Sequence, residues 1–213
     1  MAVSRNQRLK KQSAKANKRK AVVAEKLAAQ RRELSISKPR HVDLSASPIA
    51  DCLLSKDFEG DGLASVLLSR KISLGRYAVA VFLVDFWCLG IKDAFFNVIE
   101  GDDYPEFLAA EAARLPMAPV DPGYARKLVR DAAAYGAANG FPPLDAFAEL
   151  ERLFGDVAAS PDEFVFGESG KPHYVIGPND SPRYERYVLD TLEMKFGPDG
   201  YFVTYPLEEG EED

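Results

Sequence analysis

The sequence predicts an α+β protein: a single domain with a largely antiparallel sheet built from two hairpins, packed by several helices and preceded by a basic N-terminal arm. Three observations predict this class. Strand-like runs rich in valine, leucine and aromatic residues occur in pairs joined by short links. Segments with helical periodicity follow mostly after residue 103, without regular alternation of strand and helix. Positive charge is concentrated at one end of the chain.

The arm comprises residues 1–40, which hold thirteen Lys or Arg and two Glu, a net charge of +11. The whole chain has 27 basic and 33 acidic residues, so the remaining residues hold 14 and 31, a net charge of −17. Good helix formers fill the arm and its apolar stripe is thin, so we expect it to be helical or disordered. We expect a globular domain over residues 41–206 and an acidic, disordered tail over 207–213.

Three interpretations of the arm are open. As an RNA or ribosome contact, it would replace the counterions of phosphate groups. A membrane-surface helix would need large apolar residues opposite its charges, and the arm has few. A solvated tail could fold back on the acidic domain. The arm lacks interleaved aromatic residues, so base stacking is not expected from it. The basic residues that we expect to bind nucleic acid are Arg5, Arg8, Lys10, Lys11, Lys15, Lys18, Arg19, Lys20, Arg31 and Arg32.

The composition favours a cytoplasmic location. No window approaches the roughly 20 consecutive apolar residues of a membrane helix. The charged N-terminus has no apolar segment of the kind found in secretory signals. Cys52 and Cys88 have no CxxC spacing, so we expect buried free thiols.

The first half of the domain is predicted to contain a helix and a hairpin. The Ser-Pro pair at the start of residues 47–58 and the spacing of the apolar residues there indicate a helix. Residues 63–71 and 76–87 read as two strands joined by the short link ISLG. Alternation along the second strand places Asp85 on an otherwise apolar face.

The second half is predicted to be mainly helical. A helix begins at the cap Asp121 and ends before Gly140. Its predicted buried face consists of Ala125, Leu128, Val129, Ala132, Ala133 and Gly136. Further helices are expected over 143–155 and 179–197, the latter opened by Ser181 and Pro182, and a last strand over 201–205. Residues 163–177 are predicted to form the second hairpin, with its turn at residues 168–170.

The turn sequence GESGKP resembles the end of a phosphate-binding loop. That motif requires a glycine at the position of Val165 and a Ser or Thr at the position of Pro172. Proline also removes an amide donor where such a loop opens a helix. We therefore interpret residues 167–172 as a hairpin turn.

The candidate catalytic residues are Asp85, Lys92, Asp93 and His173. A carboxylate site for Mg²⁺ or Mn²⁺ could draw on Asp51, Asp85, Asp93 and Asp180, which all occur near element ends. A metal-dependent phosphodiester hydrolase could use Asp85 and Asp93 there, with Lys92 stabilising the charge that develops on the phosphoryl group. The structural alternative makes Asp85 a cap where the chain leaves the sheet, Lys92 its ion-pair partner and Asp93 a helix cap. The two histidines and two cysteines are scattered singly, unlike the paired ligands of zinc sites, and the sequence leaves the cofactor undetermined.

A second polar segment, GKPHYVIGPND, lies far along the chain. It contains Lys171, His173, Tyr174, Asn179 and Asp180. If the fold brings this segment beside Asp85 and Lys92, acids, a base and hydrogen-bond donors would meet at one place.

FLVDFWCLGIKDAFF (residues 82–96) and FGESGKPHYVIGPND (residues 166–180) resemble segments of a family of uncharacterised bacterial proteins. The resemblance spans about residues 50–190 and implies a single domain there. It carries over no activity, cofactor or site residue.

The function expected from the sequence is that of a non-catalytic RNA- or ribonucleoprotein-associated binding protein that uses its basic arm. The acidic domain would then bind a protein or a small ligand. The alternatives are a metal-assisted phosphodiester hydrolase and a structural protein-interaction adaptor.

Overall fold

The computed structural model describes residue 44 and residues 46–56, 58–177 and 180–205. The basic arm, His41, Asn179 and the acidic tail lie outside the described residues. The strands are β1 (Ile49–Ser55), β2 (Leu63–Lys71), β3 (Tyr77–Asp85), β4 (Gly90–Ile99), β5 (Met117–Pro119), β6 (His173–Val175) and β7 (Phe202–Thr204). The helices are α1 (Phe58–Asp61), α2 (Tyr104–Arg114), α3 (Pro122–Ala138), α4 (Phe147–Glu151) and α5 (Pro182–Phe196).

The main sheet has five strands in the order β4-β3-β2-β1-β5, and every neighbouring pair is antiparallel. The predicted hairpin of β2 and β3 is confirmed, with Leu63 opposite Asp85 and Lys71 opposite Tyr77. The α+β class and the largely antiparallel sheet are therefore as predicted.

The helix predicted over residues 47–58 is wrong, because residues 49–55 form strand β1. Cys52 and Leu54 are buried while Leu53 between them is only partly buried, which is the period of a strand. The apolar spacing of this short segment fits either structure. The antiparallel partner β2, a long-range contact, decides it.

Helices cover both faces of the main sheet. On one face, all six residues predicted for the buried side of α3 are buried, and all of them except Gly136 pack with Phe82 and Phe154 in the largest core cluster. On the other face, Tyr104, Phe107 and Leu108 of α2 cover Leu67, Val79 and Val81. The Asp121 cap of α3 is confirmed, since its Oδ1 accepts from the amides of Gly123 and Tyr124.

A smaller lobe is formed by α5 and a two-stranded sheet. The predicted turn after Gly167 exists as a bridge between Glu168 and Lys171, but its flanks do not form the second hairpin. Strand β6 pairs in parallel with β7 instead. Phe164 and Phe166 pack against the main core, so the chain crosses from one cluster to the other at this turn.

The remaining predicted helices are confirmed with altered bounds. α5 is capped by Ser181, whose Oγ accepts from the amide of Tyr184 at 3.2 Å. α4 begins only at Phe147 and continues as a 3₁₀ turn over Arg152–Phe154. In the part of the chain described above, no helix is both long and apolar enough to cross a membrane.

Candidate functional site

Asp85 ends β3 and holds the turn that leads into β4. We call residues 85–90 the Asp85 turn. The side chain is buried, with 2 % of the residue exposed, and its Oδ1 accepts hydrogen bonds from the amides of Trp87 and Cys88, both at 2.9 Å. A buried carboxylate requires such donors to offset its loss of hydration. The apolar face predicted for this strand therefore accommodates Asp85 because the following backbone solvates it.

Other parts of the chain supply donors to the carbonyl groups of the Asp85 turn. The Trp87 carbonyl accepts from Tyr135 Oη at 2.9 Å and from the His173 amide at 2.8 Å. The Cys88 carbonyl accepts from Asn139 Nδ2 at 3.0 Å, and the Phe86 carbonyl accepts from the Gly167 amide at 2.8 Å. Helix α3 and the segment around β6 thus meet at this turn. Buried backbone carbonyls are satisfied in this way when no sheet partner is available.

Lys92 lies in a β-bulge of strand β4. Leu83 of β3 pairs with Asp93 and Val84 pairs with Ile91, so Lys92 is the extra residue between them. Its Nζ lies 3.8 Å from Asp180 Oδ1, and both side chains are largely buried. The sequence analysis paired Lys92 with Asp85, and the structure corrects this partner to Asp180.

Asp180 fixes the loop that follows β6. Its Oδ2 accepts hydrogen bonds from Tyr174 Oη and from the Gly177 amide, both at 2.8 Å. Burial raises the pKa of Tyr174, and the negative charge of Asp180 raises it further. Tyr174 therefore stays a hydrogen-bond donor to Asp180 even in alkaline solution.

Asp93 lies in strand β4, so the interpretation as a helix cap is wrong. Its Oδ1 accepts from the amide of Ala94 at 2.9 Å, and Asn97 Oδ1 accepts from Val98 at 2.8 Å in the same manner. β4 is an edge strand of the main sheet. The bulge at Lys92 lies in this edge strand, and bulges at sheet edges are one device that natural sheets use against pairing with another chain.

His173 connects the Asp85 turn to the smaller sheet. Its ring stacks on that of Trp87, its Nε2 lies 2.8 Å from Thr204 Oγ1, and its Nδ1 lies 2.5 Å from Glu168 Oε2. This Nδ1 contact is close but lacks hydrogen-bond geometry. The His173 side chain therefore hydrogen-bonds to β7 and contacts the preceding turn.

The structure brings together the two polar segments that the sequence analysis singled out. Trp87 contacts His173, and Lys92 contacts Asp180. Tyr135 of α3 and Asn139, which caps the C-terminal end of α3, were not among the predicted site residues. A tyrosine within an alanine-rich run was the available signal for Tyr135, whereas Asn139 looks like an ordinary helix end.

The site consists of hydrogen-bond donors and of carboxylates that already accept hydrogen bonds from the protein. Burial raises the pKa of Tyr135 to about 12, the bond with Asn139 opposes this shift, and the negative charge of Asp85 adds to it. Among the residues described, no group of three His, Cys, Asp or Glu is placed to hold a metal ion.

Comparison with protein-family models, with curated proteins and with solved structures gave no significant match. The resemblance to a bacterial family therefore rests on the two quoted segments alone, and function has to be argued from the residues of this chain.

Proposed function

We propose that the protein is a cytoplasmic, non-catalytic RNA- or ribonucleoprotein-binding protein whose arm contacts phosphate groups. The observation that carries the proposal is the separation of charge, +11 in residues 1–40 against −17 in the rest of the chain. Basic residues near a polyanion release its condensed counterions, and this supplies affinity without sequence preference. The acidic domain would repel a polyanion, so contact is directed to the arm.

The engagement of the candidate catalytic residues supports a non-catalytic role. Asp85 is buried and bonded to two amides of its own turn, and Lys92 lies beside Asp180. A hydrolase acting through Asp85, Lys92 and Asp93 would have to break the hydrogen bonds between Asp85 and the amides of its turn. The alternative of a metal-assisted phosphodiester hydrolase is for this reason the weaker one.

The test is co-sedimentation with RNA and with ribosomes, for the full chain and for a chain that begins at residue 41, across a salt series. The truncated chain keeps every residue of the three core clusters. We expect the full chain to sediment at low salt, to be released steeply as salt rises, and to lose binding without the arm. If both chains stay in the supernatant at low salt, the proposal is wrong, and metal-dependent hydrolysis and protein capture are the functions to assay.

A further inference from the structure

The first two turns of α5 present two tyrosines and two arginines on the surface. They are Arg183, Tyr184, Arg186 and Tyr187, which we call the Tyr187 face. Tyr184 is 37 % exposed and Tyr187 51 % exposed, and their ring centroids lie 6.3 Å apart. Residues three apart on a helix are neighbours, so each arginine lies beside another member of the set.

The rings of the Tyr187 face are held in place from below. Tyr187 meets the ring of Phe141 edge-on at 6.2 Å, and Phe141 belongs to the buried core of the smaller lobe. Tyr184 lies against Tyr187, with the two ring planes tilted by 36°. Both rings therefore combine a fixed position with an exposed surface, which suits stacking because little side-chain freedom is left to lose.

The arginines of the Tyr187 face are available for phosphate groups. Arg126 and Arg130 of α3 both form ion pairs with Glu151, but no ion pair in the described chain includes Arg183 or Arg186. Two acidic residues limit the basic patch: Glu185 within these two turns and Asp190 one turn beyond Tyr187. Free guanidinium groups beside exposed aromatic rings are the combination with which proteins bind single-stranded nucleic acid.

We propose that the Tyr187 face stacks unpaired bases of single-stranded RNA while the arm holds the phosphates. This inference rests on the proposed function and deepens it. The arm offers charge without aromatic residues, so it cannot distinguish a base from an empty sugar. The Tyr187 face supplies the missing contact and restricts the ligand to strands with exposed bases.

The test compares the binding of a fluorescein-labelled oligouridylate with that of an abasic ribose–phosphate strand of equal length, measured by anisotropy. The proteins are the full chain, the double variant Tyr184→Ala/Tyr187→Ala and the control Tyr205→Ala, which removes another exposed aromatic ring outside α5. We expect the double variant to bind oligouridylate about tenfold more weakly, because base stacking contributes on that scale. Its affinity for the abasic strand and both affinities of the Tyr205 variant should not change.

Two further variants exclude a loss of fold as the cause. Tyr187→Leu keeps an apolar contact with Phe141 and removes the stacking ring, so it should weaken oligouridylate binding alone. Tyr184→Phe/Tyr187→Phe keeps both rings and should bind as the unaltered chain does.

The inference is overturned if the alanine and leucine variants bind oligouridylate normally while removal of residues 1–40 abolishes binding. The proposed function then stands and the exposed face belongs to a protein partner. It is overturned as well if the alanine variant loses both strands equally. If the full chain binds neither strand, the proposed function is wrong and the inference is overturned with it.

Discussion

The imidazole ring of His173 stacks on the indole ring of Trp87, with ring centroids 5.2 Å apart and an angle of 9° between the planes. This contact joins the turn after β3 to strand β6, which begins more than 80 residues later. The His173 amide also donates to the Trp87 carbonyl at 2.8 Å. The two polar segments of the sequence thus form one connection between the main sheet and the smaller lobe.

The carboxylate of Asp85 is predicted to stabilise this connection. Asp85→Ala leaves the buried amides of Trp87 and Cys88 without their acceptor, so the free energy of unfolding should fall by about 3 kcal/mol. Asp85→Asn retains an acceptor oxygen and should cost less. Urea unfolding measures both, with the exposed Asp102→Ala as control. An alanine variant as stable as the control would contradict the structural role.

Gly90 is predicted to be irreplaceable for lack of space. Gly90 and Gly75 both have positive φ, 67° and 70°, which costs any other residue about 1 kcal/mol. A Cβ at Gly90 would overlap the carbonyl oxygen of Ala132 in α3, whereas a Cβ at Gly75 meets nothing within 4 Å. Thermal unfolding should show Gly75→Ala mildly destabilised and Gly90→Ala destabilised by at least about 3 kcal/mol more. Equal effects would show that α3 does not pack closely here.

Asp180 is predicted to matter more through Tyr174 than through Lys92. Asp180→Ala removes the acceptor of Tyr174 Oη and of the Gly177 amide, a loss of about 3 kcal/mol in the free energy of unfolding. Lys92→Met removes a largely buried partner at 3.8 Å, but Asp180 keeps both of its hydrogen bonds and methionine fills a similar volume, so the change should cost about 1 kcal/mol. A double-mutant cycle should give a coupling energy no larger than that. A coupling of several kcal/mol would indicate a tighter Lys92–Asp180 pair than the structure has.

The ion pairs between α3 and α4 are predicted to weaken in acid. Burial opposes ionisation of Glu151, but its bonds and charge contacts with Arg126 and Arg130 outweigh this and lower its pKa. The stabilisation is therefore complete above the pKa of this glutamate in the unfolded chain, near 4.5. It is lost as the pH falls through the lower pKa that Glu151 has in the folded protein. The difference in unfolding free energy between the unaltered chain and Glu151→Gln should be about 1 kcal/mol at pH 7 and shrink below pH 4.5. A constant difference would contradict this sign.

Local sequence signals predicted the elements whose structure is decided locally. The buried face of α3 follows from its period and caps, and the hairpin of β2 and β3 from two apolar runs with a short link. The apolar spacing of β1 fits both the helical and the strand period, so the sequence predicts a helix there. Pairing with β2 makes the segment a strand. The pairing of β6 with β7 likewise depends on residues nearly 30 positions apart, which no local turn signal reveals.

The candidate site was predictable only in part. The sequence indicated that Asp85, Lys92, His173 and Asp180 could meet, since all lie beside turns or strand ends. The bulge at Lys92 depends on the register between β3 and β4, and this register directs Lys92 to Asp180. The contribution of Tyr135 depends on how α3 crosses the sheet, which the helical period alone does not give.

The most direct test of the central claim is the salt dependence of RNA binding for three full-length proteins. One is the unaltered chain, one carries glutamine at the ten basic positions named for the arm, and one has the residues of its arm in shuffled order. We predict that the unaltered and shuffled proteins bind alike, with a slope of about −0.7 in log affinity against log salt for each phosphate neutralised, and that the glutamine variant loses binding. Equal binding by the glutamine variant would contradict the claim that the charge of the arm engages RNA.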